Sequence, residues 1–125
     1  YPLYFLDYET YGYAIPPFDG TRPYQNITFQ YALGIKETPG AETKYTEFLA
    51  RKFGNPVPEL LAQLKRDIGD KGSVIVWFES FEKGCNEEMA RMVPDHAEFL
   101  KDVNDRVFDL MITCLFWYNT LHLKN

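Results

Sequence analysis

The stretch PLYFLDY at residues 2–8 constrains the fold more than any other. Successive side chains of an extended strand point to opposite sides. Leu3 and Phe5 therefore share one side and Tyr4 and Leu6 the other. Apolar groups on both sides predict a strand covered on both faces, hence a central strand of a layered fold. The run then meets two acids, Asp7 and Glu9. Positions i and i+2 lie about 6.6–7 Å apart on the same side of a strand, so both carboxylates aim at one space. Ionised carboxylates at the end of a buried strand cost several kcal/mol unless a basic side chain or a metal ion offsets them. Oxygen-only ligation suits magnesium or manganese, which act in pairs about 3.5–4 Å apart in phosphodiester chemistry. The plainer alternative is a pair of acids that cap the strand and enter solvent.

Further elements follow from periodicity. TFQYALGI (28–35) alternates Phe29, Tyr31, Leu33 and Ile35 against smaller or polar residues and reads as a half-buried strand. KETPGAE (36–42) is a turn, and TKYTEFL (43–49) a third strand, completing an antiparallel meander. Asn55 offers an N-cap with Pro56 at the first helical position. Leu60, Leu61, Leu64 and Ile68 then form one helical stripe closed by Gly69. SVIVWF (73–78) is a short continuous apolar run, the mark of a buried strand, and it can lie parallel to an earlier one because a helix precedes it. Phe81, Cys85, Met89 and Met92 fall on one face of a second helix that Pro94 stops. Asp95 and Glu98 resemble a capping arrangement for a third helix carrying Phe99, Leu100, Val103 and Val107, and VFDLM (107–111) opens a last strand. The order β-β-β-α-β-α-α-β predicts an α/β fold with a mixed sheet. At 125 residues the chain suits one domain.

Composition excludes several classes. The longest apolar run, ITCLFWY (112–118), is far below the roughly 20 residues of a membrane span, so no membrane insertion is expected. Cys85 and Cys114 have neither metal-ligand nor disulfide spacing and read as buried thiols of a reducing compartment, which points to the cytoplasm. A net charge of -5 argues against a free-standing nucleic-acid binder with a basic footprint. Carboxylates that hold cations nevertheless count as negative in that sum, while the bound ions reverse the local field.

YFLDYET followed by a three-strand meander, a helix, a buried strand and then ESFEKG opening another helix resembles the DEDD-type (DnaQ-like) 3′-5′ exonucleases of the RNase H-like superfamily. More narrowly, PLYFLDYET, FDGTRPYQ, FQYALGI, SFEKG and RVFDLM resemble an uncharacterised bacterial family, the domain of unknown function 2779 family, over residues 2 to about 111. The resemblance implies an RNase H-like mixed sheet. It also implies metal-dependent hydrolysis of phosphodiesters in DNA or RNA, at a single-stranded 3′ end, with two Mg2+ or Mn2+ ions. Asp7 and Glu9 would hold metal as the first motif. Glu82, in Phe81-Glu82, stands where the second motif normally ends in Phe-Asp. An acid in the first turn of a helix is also favoured by the helix dipole without any metal, so both readings of Glu82 stand. Glu79 competes for the same role and matches the motif less well. Asp109 corresponds to an acid that supports or binds the metals, or is simply an acid at a strand end.

The superfamily's fourth motif, a His or Tyr base ahead of a last Asp, has no counterpart. No acid follows Asp109, and His122 reads as a surface residue. Residues 1–125 are accordingly expected to be an incomplete domain, with the C-terminal part truncated and the remainder of a parent chain missing, and nearly inactive alone. In the loop at 10–27, Tyr24 can stack a base and Arg22 can grip a phosphate. Tyr11, Tyr13 and Phe18 read rather as pins of the loop on the core, and Arg22 can equally pair with Asp19. The rival functional reading is a catalytically inactive RNase H-like module that binds nucleic acid or protein. A third reading, a glycosidase with a D-x-E pair at a strand end, is disfavoured, since a TIM barrel needs about 250 residues and an antiparallel meander does not suit it.

Overall fold

The computed structural model describes residues 1–123. The chain is α/β, with strands β1 (Leu3–Tyr11), β2 (Ile27–Lys36), β3 (Lys44–Leu49), β4 (Ser73–Val76) and β5 (Val107–Asp109). The helices are α1 (Val57–Asp67), α2 (Glu79–Met92), α3 (Ala97–Asp105) and α4 (Leu110–Leu123), with a 3-10 turn at Pro94–His96 before α3. The five strands form one mixed sheet in the order β3-β2-β1-β4-β5. The β1–β2 and β2–β3 pairs are antiparallel; β1–β4 and β4–β5 are parallel. The meander, the helix-strand-helix continuation and the central place of β1 are those predicted. Among the described residues no helix is long and apolar enough to cross a membrane.

One core holds the sheet to its helices. Tyr4, Leu6 and Tyr8 of β1, Tyr31 and Leu33 of β2 and Val74 and Val76 of β4 pack with Leu60, Leu61 and Leu64 of α1, Cys85 and Met89 of α2, and Leu100 and Val103 of α3. The leucine stripe read from the sequence is thus the buried face of α1. That helix begins one residue later than predicted: Pro56 is its cap residue, and the Asn55 side-chain oxygen accepts the Val57 N–H at 3.1 Å.

The strand read as covered on both faces is covered on one. Tyr4, Leu6 and Tyr8 are buried, while Phe5 is 39% exposed and Asp7 and Glu9 face solvent. The helices share their core with the Tyr4 side, and the large apolar residues of the opposite face meet water. Phe5 pairs with Gly34 and Ile75, Gly34 with Tyr45, and Ile75 with Phe108, so one row crosses all five strands. Tyr45 and Phe108 in that row are exposed. β1 also runs past the acids to Tyr11, with a register shift between Glu9 and Thr10. Asp7 and Glu9 therefore lie within the strand, not at its end.

Two further differences have local causes. β4 stops at Val76, and Trp77 and Phe78, counted in the strand by their hydropathy, are exposed in the turn to α2. The final strand ends at Asp109, because its side chain accepts the Met111 and Ile112 N–H groups and starts α4. Apolar residues surround α4 on all sides, so no helical period marked it. Cys114 lies on that helix and is exposed; of the two thiols only Cys85 is buried.

Gly72 lets β4 enter beside β1. Its φ is +96°, and an added Cβ would collide with the Pro2 carbonyl oxygen, which accepts the Ser73 N–H at 3.1 Å. Gly72→Ala is expected to lower stability by on the order of 3 kcal/mol, from left-handed strain and from displacement of that first ladder bond. Urea denaturation measures it; an unchanged midpoint would show that the β1–β4 entry tolerates a side chain.

Candidate functional site

The alternation that buries Tyr8 puts its neighbours Asp7 and Glu9 on the open face together. Their partners across the β1–β2 ladder are Ala32 and Gln30. Ala32 is small, so the space over Asp7 is not filled from β2. A groove of about 640 Å3 opens there, lined by Phe5, Asp7, Ala32, Glu47, Trp77 and Leu110 among others.

Glu82 approaches the same strand from the helix layer. It sits in the first turn of α2, is 4% exposed, and its Oε2 is buried with no hydrogen-bond partner. Its carboxyl is pushed up to about 8, chiefly by burial and then by the charge of Asp7, with a smaller push from Glu9; the Tyr8 backbone pulls the other way. A helix N-terminus by itself favours a negative charge by about 0.3–1 kcal/mol. Here burial and the neighbouring carboxylates outweigh that preference, so a helix-dipole role alone does not account for the environment of Glu82. The charges of Asp7 and Glu9 thus reach Glu82. Glu79 is engaged elsewhere, in an ion pair with Lys83 at 2.6 Å.

Asp109 has a different setting. It is buried, its Oδ2 accepts the Glu79 N–H at 3.1 Å, and its Oδ1 accepts the Met111 and Ile112 N–H groups. One carboxylate thus fixes the start of α2 and the start of α4 to the end of β5. Through α2 it supports the turn that carries Glu82.

The donors fit a hard divalent cation in kind: three carboxylates, one with an orphaned buried oxygen, in mutual repulsion that a cation would relieve. Among the described residues no three Asp, Glu, His or Cys side chains stand together at the spacing of a coordination shell. Holding an ion therefore requires Asp7 or Glu9 to swing toward Glu82, which their solvent exposure allows.

The loop at 12–26 is tied down beside α2. Arg22 grips Glu88 with both guanidinium nitrogens, at 3.1 and 3.3 Å, and Arg91 takes the same carboxylate. The partner of Arg22 is thus Glu88 on α2 rather than Asp19 in its own turn. Burial works against the Glu88 charge, but the hydrogen bonds and charges of Arg91 and Arg22 hold its carboxyl below the ordinary value. Tyr24 has φ 59° and is 72% exposed, with its N–H on the Tyr13 carbonyl at 2.7 Å. Its ring borders a second cavity of about 290 Å3 between loop and helix, with Arg22, Asn26, Ser80 and Gly84. Tyr11 and Phe18 pack against the core, as pins of the loop should, and the Tyr13 ring lies tilted against that of Tyr11 at 5.1 Å while remaining exposed.

Arg22→Ala is expected to cost about 1 kcal/mol, since Arg91 still pairs Glu88 and the lost pair is half solvated. Proteolysis within residues 12–26 should accelerate. Unchanged cleavage of that loop would mean that the Arg22–Glu88 pair does not restrain it.

Sequence reasoning missed Glu88 and Asn86, both buried polar residues on α2. The signal was present: Asn86 lies four residues after Glu82 and three before Met89, on the face that the apolar residues define.

A family model described as Domain of unknown function (DUF2779) matches residues 4–122. The match runs beyond Met111, where the resemblance of the motifs was read as ending. No curated protein and no solved structure matches the chain.

Proposed function

The chain belongs to that family of domains of unknown function, and on this premise we propose that it is the metal-holding part of an RNase H-like, DnaQ-like nuclease domain acting on DNA or RNA at a single-stranded 3′ end. The observation that carries the reading is Glu82: a buried carboxyl with one oxygen unpartnered, pushed up to about 8 beside two strand acids. Strongly perturbed carboxyls that face other acids at a cleft are the usual mark of a site built for a ligand. The order of the sheet, 3-2-1-4-5 with only the first two pairings antiparallel, supports the RNase H-like reading.

Asp7, Glu9 and Glu82 would hold Mg2+ or Mn2+, which when bound supplies an activated water and charge stabilisation at a phosphodiester. The remaining work belongs to the chain. β1 presents two acids on one side; α2 delivers the third; Asp109 fixes the α2 terminus. Tyr24 and Arg22 line a separate cavity beside α2, where the exposed Tyr24 ring, on a left-handed backbone that costs about 1–3 kcal/mol, would be free to stack a base. Arg22 reaches a phosphate only by leaving Glu88, so its contribution to binding is reduced by the pair it must break.

A second reading, a module that keeps the fold without catalysis, is favoured by the exposure of Asp7 and Glu9, each of which water solvates without an ion. Isothermal titration with Mn2+ separates the two. The nuclease reading expects saturable binding that Asp7→Asn strongly weakens, and the binding-module reading expects none.

A further inference from the structure

We infer that Asn86 is a positioning residue for the carboxylate site, holding the turn of α2 that carries Glu82 against the strand that carries Asp7 and Glu9 through a buried hydrogen-bonded chain. The inference rests on the reading of those three acids as one site. The Tyr8 hydroxyl donates to Asn86 Oδ1 at 2.7 Å, and Asn86 Nδ2 donates to Asn104 Oδ1 at 2.8 Å. Asn86 is fully buried and Tyr8 2% exposed.

The placement is what gives the chain its meaning. Tyr8 stands between Asp7 and Glu9 on β1 and points to the opposite side, so its phenol reaches under the sheet where the acids reach over it. Asn86 lies four residues beyond Glu82, one helical turn away on the same face of α2. One hydrogen bond therefore joins the strand position that carries two acids to the helix turn that carries the third. The second bond runs on to α3, which stops α2 from rolling about its axis. Asn86 spends both ends of its amide in this chain, the oxygen accepting from Tyr8 and the nitrogen donating to Asn104.

Packing alone does not call for these groups. Tyr8 belongs to the buried apolar cluster with Leu6, Ile27, Cys85 and Met89, and an apolar pair of similar volume at Tyr8 and Asn86 would hold helix to strand without these polar groups to satisfy. Apolar contacts are non-directional, whereas the hydrogen bond selects one axial setting of α2 against β1. Partners standing behind metal ligands typically change metal affinity by about 10- to 100-fold when removed.

The experiment compares wild type, Tyr8→Phe, Asn86→Leu and the double variant, measuring Mn2+ affinity by isothermal titration and thermal midpoint in metal-free buffer. Each single variant leaves a buried polar group unpaired and is expected to melt earlier and to bind Mn2+ about tenfold or more weakly. The double variant, with an apolar pair, is expected to regain thermal stability and to keep the weakened affinity. Recovery of wild-type affinity together with stability, or unchanged affinity in the single variants, overturns the positioning role while leaving the carboxylate site in place. Failure of wild type itself to bind Mn2+ overturns both.

Discussion

Glu82→Gln is expected to stabilise the metal-free protein at pH 8 and to weaken Mn2+ binding. The sign follows from the carboxyl being pushed up to about 8 from an ordinary 4.5 by burial, by Asp7 and by Glu9. Below the unfolded value the group is protonated in both states and costs nothing. As pH rises the unfolded chain loses the proton first, so this contribution to stability drains away from about pH 4.5 to about pH 8 and is then lost. At about 1.4 kcal/mol per unit, and allowing for partial solvation, the loss is on the order of 3 kcal/mol. Glutamine keeps the shape and removes the ionisation. Urea denaturation should therefore find the two proteins nearly equal at pH 4.5 and the variant more stable at pH 8. A stability difference independent of pH would contradict the assignment. The combination of better folding with poorer ion binding is the trade expected of a residue kept for function rather than for packing.

The second large effect is expected at Asp7. Its charge is the strongest of the two acid influences on Glu82, and it faces the open groove, where an ion can enter. Asp7→Asn should lower Mn2+ affinity by about 100-fold or more, exceeding the effect of losing a partner behind the ligands. It should also let Glu82 ionise at lower pH, so the pH-dependent loss of stability shrinks. Glu9→Gln should act in the same direction and less strongly. Equal Mn2+ affinity in Asp7→Asn and wild type would remove Asp7 from the site.

Much of this was legible because it depends on short-range pattern. The leucine stripe at 60, 61, 64 and 68 has one helical solution, and the meander follows from alternation broken by a proline-glycine turn. The pairing of Asp7 with Glu9 is a two-residue geometry. What was not legible depends on contacts far apart in sequence. Nothing in PLYFLDY tells whether helices will lie on one face of the strand or two, because Phe5 and Tyr4 are equally apolar while only Tyr4 is buried. The partner of Arg22 lies 66 residues away, and a local turn with Asp19 looked equally good. The phenol of Tyr8 meets Asn86 across 78 residues. α4 left no period because its apolar residues go all the way round. In sequence Asp109 stands as an acid that supports or binds the metals or simply ends a strand, and its role in binding three backbone N–H groups appears only when α2 and α4 are placed beside it.

The central claim is that Asp7, Glu9 and Glu82 hold a divalent cation, and calorimetric titration with Mn2+ at pH 8 and pH 5 tests it most directly. Saturable binding at pH 8, weaker at pH 5 because Glu82 must give up its proton, and about 100-fold or more weaker in Asp7→Asn, is the predicted result. No saturable binding by wild type at pH 8, or binding that Asp7→Asn leaves intact, would contradict it.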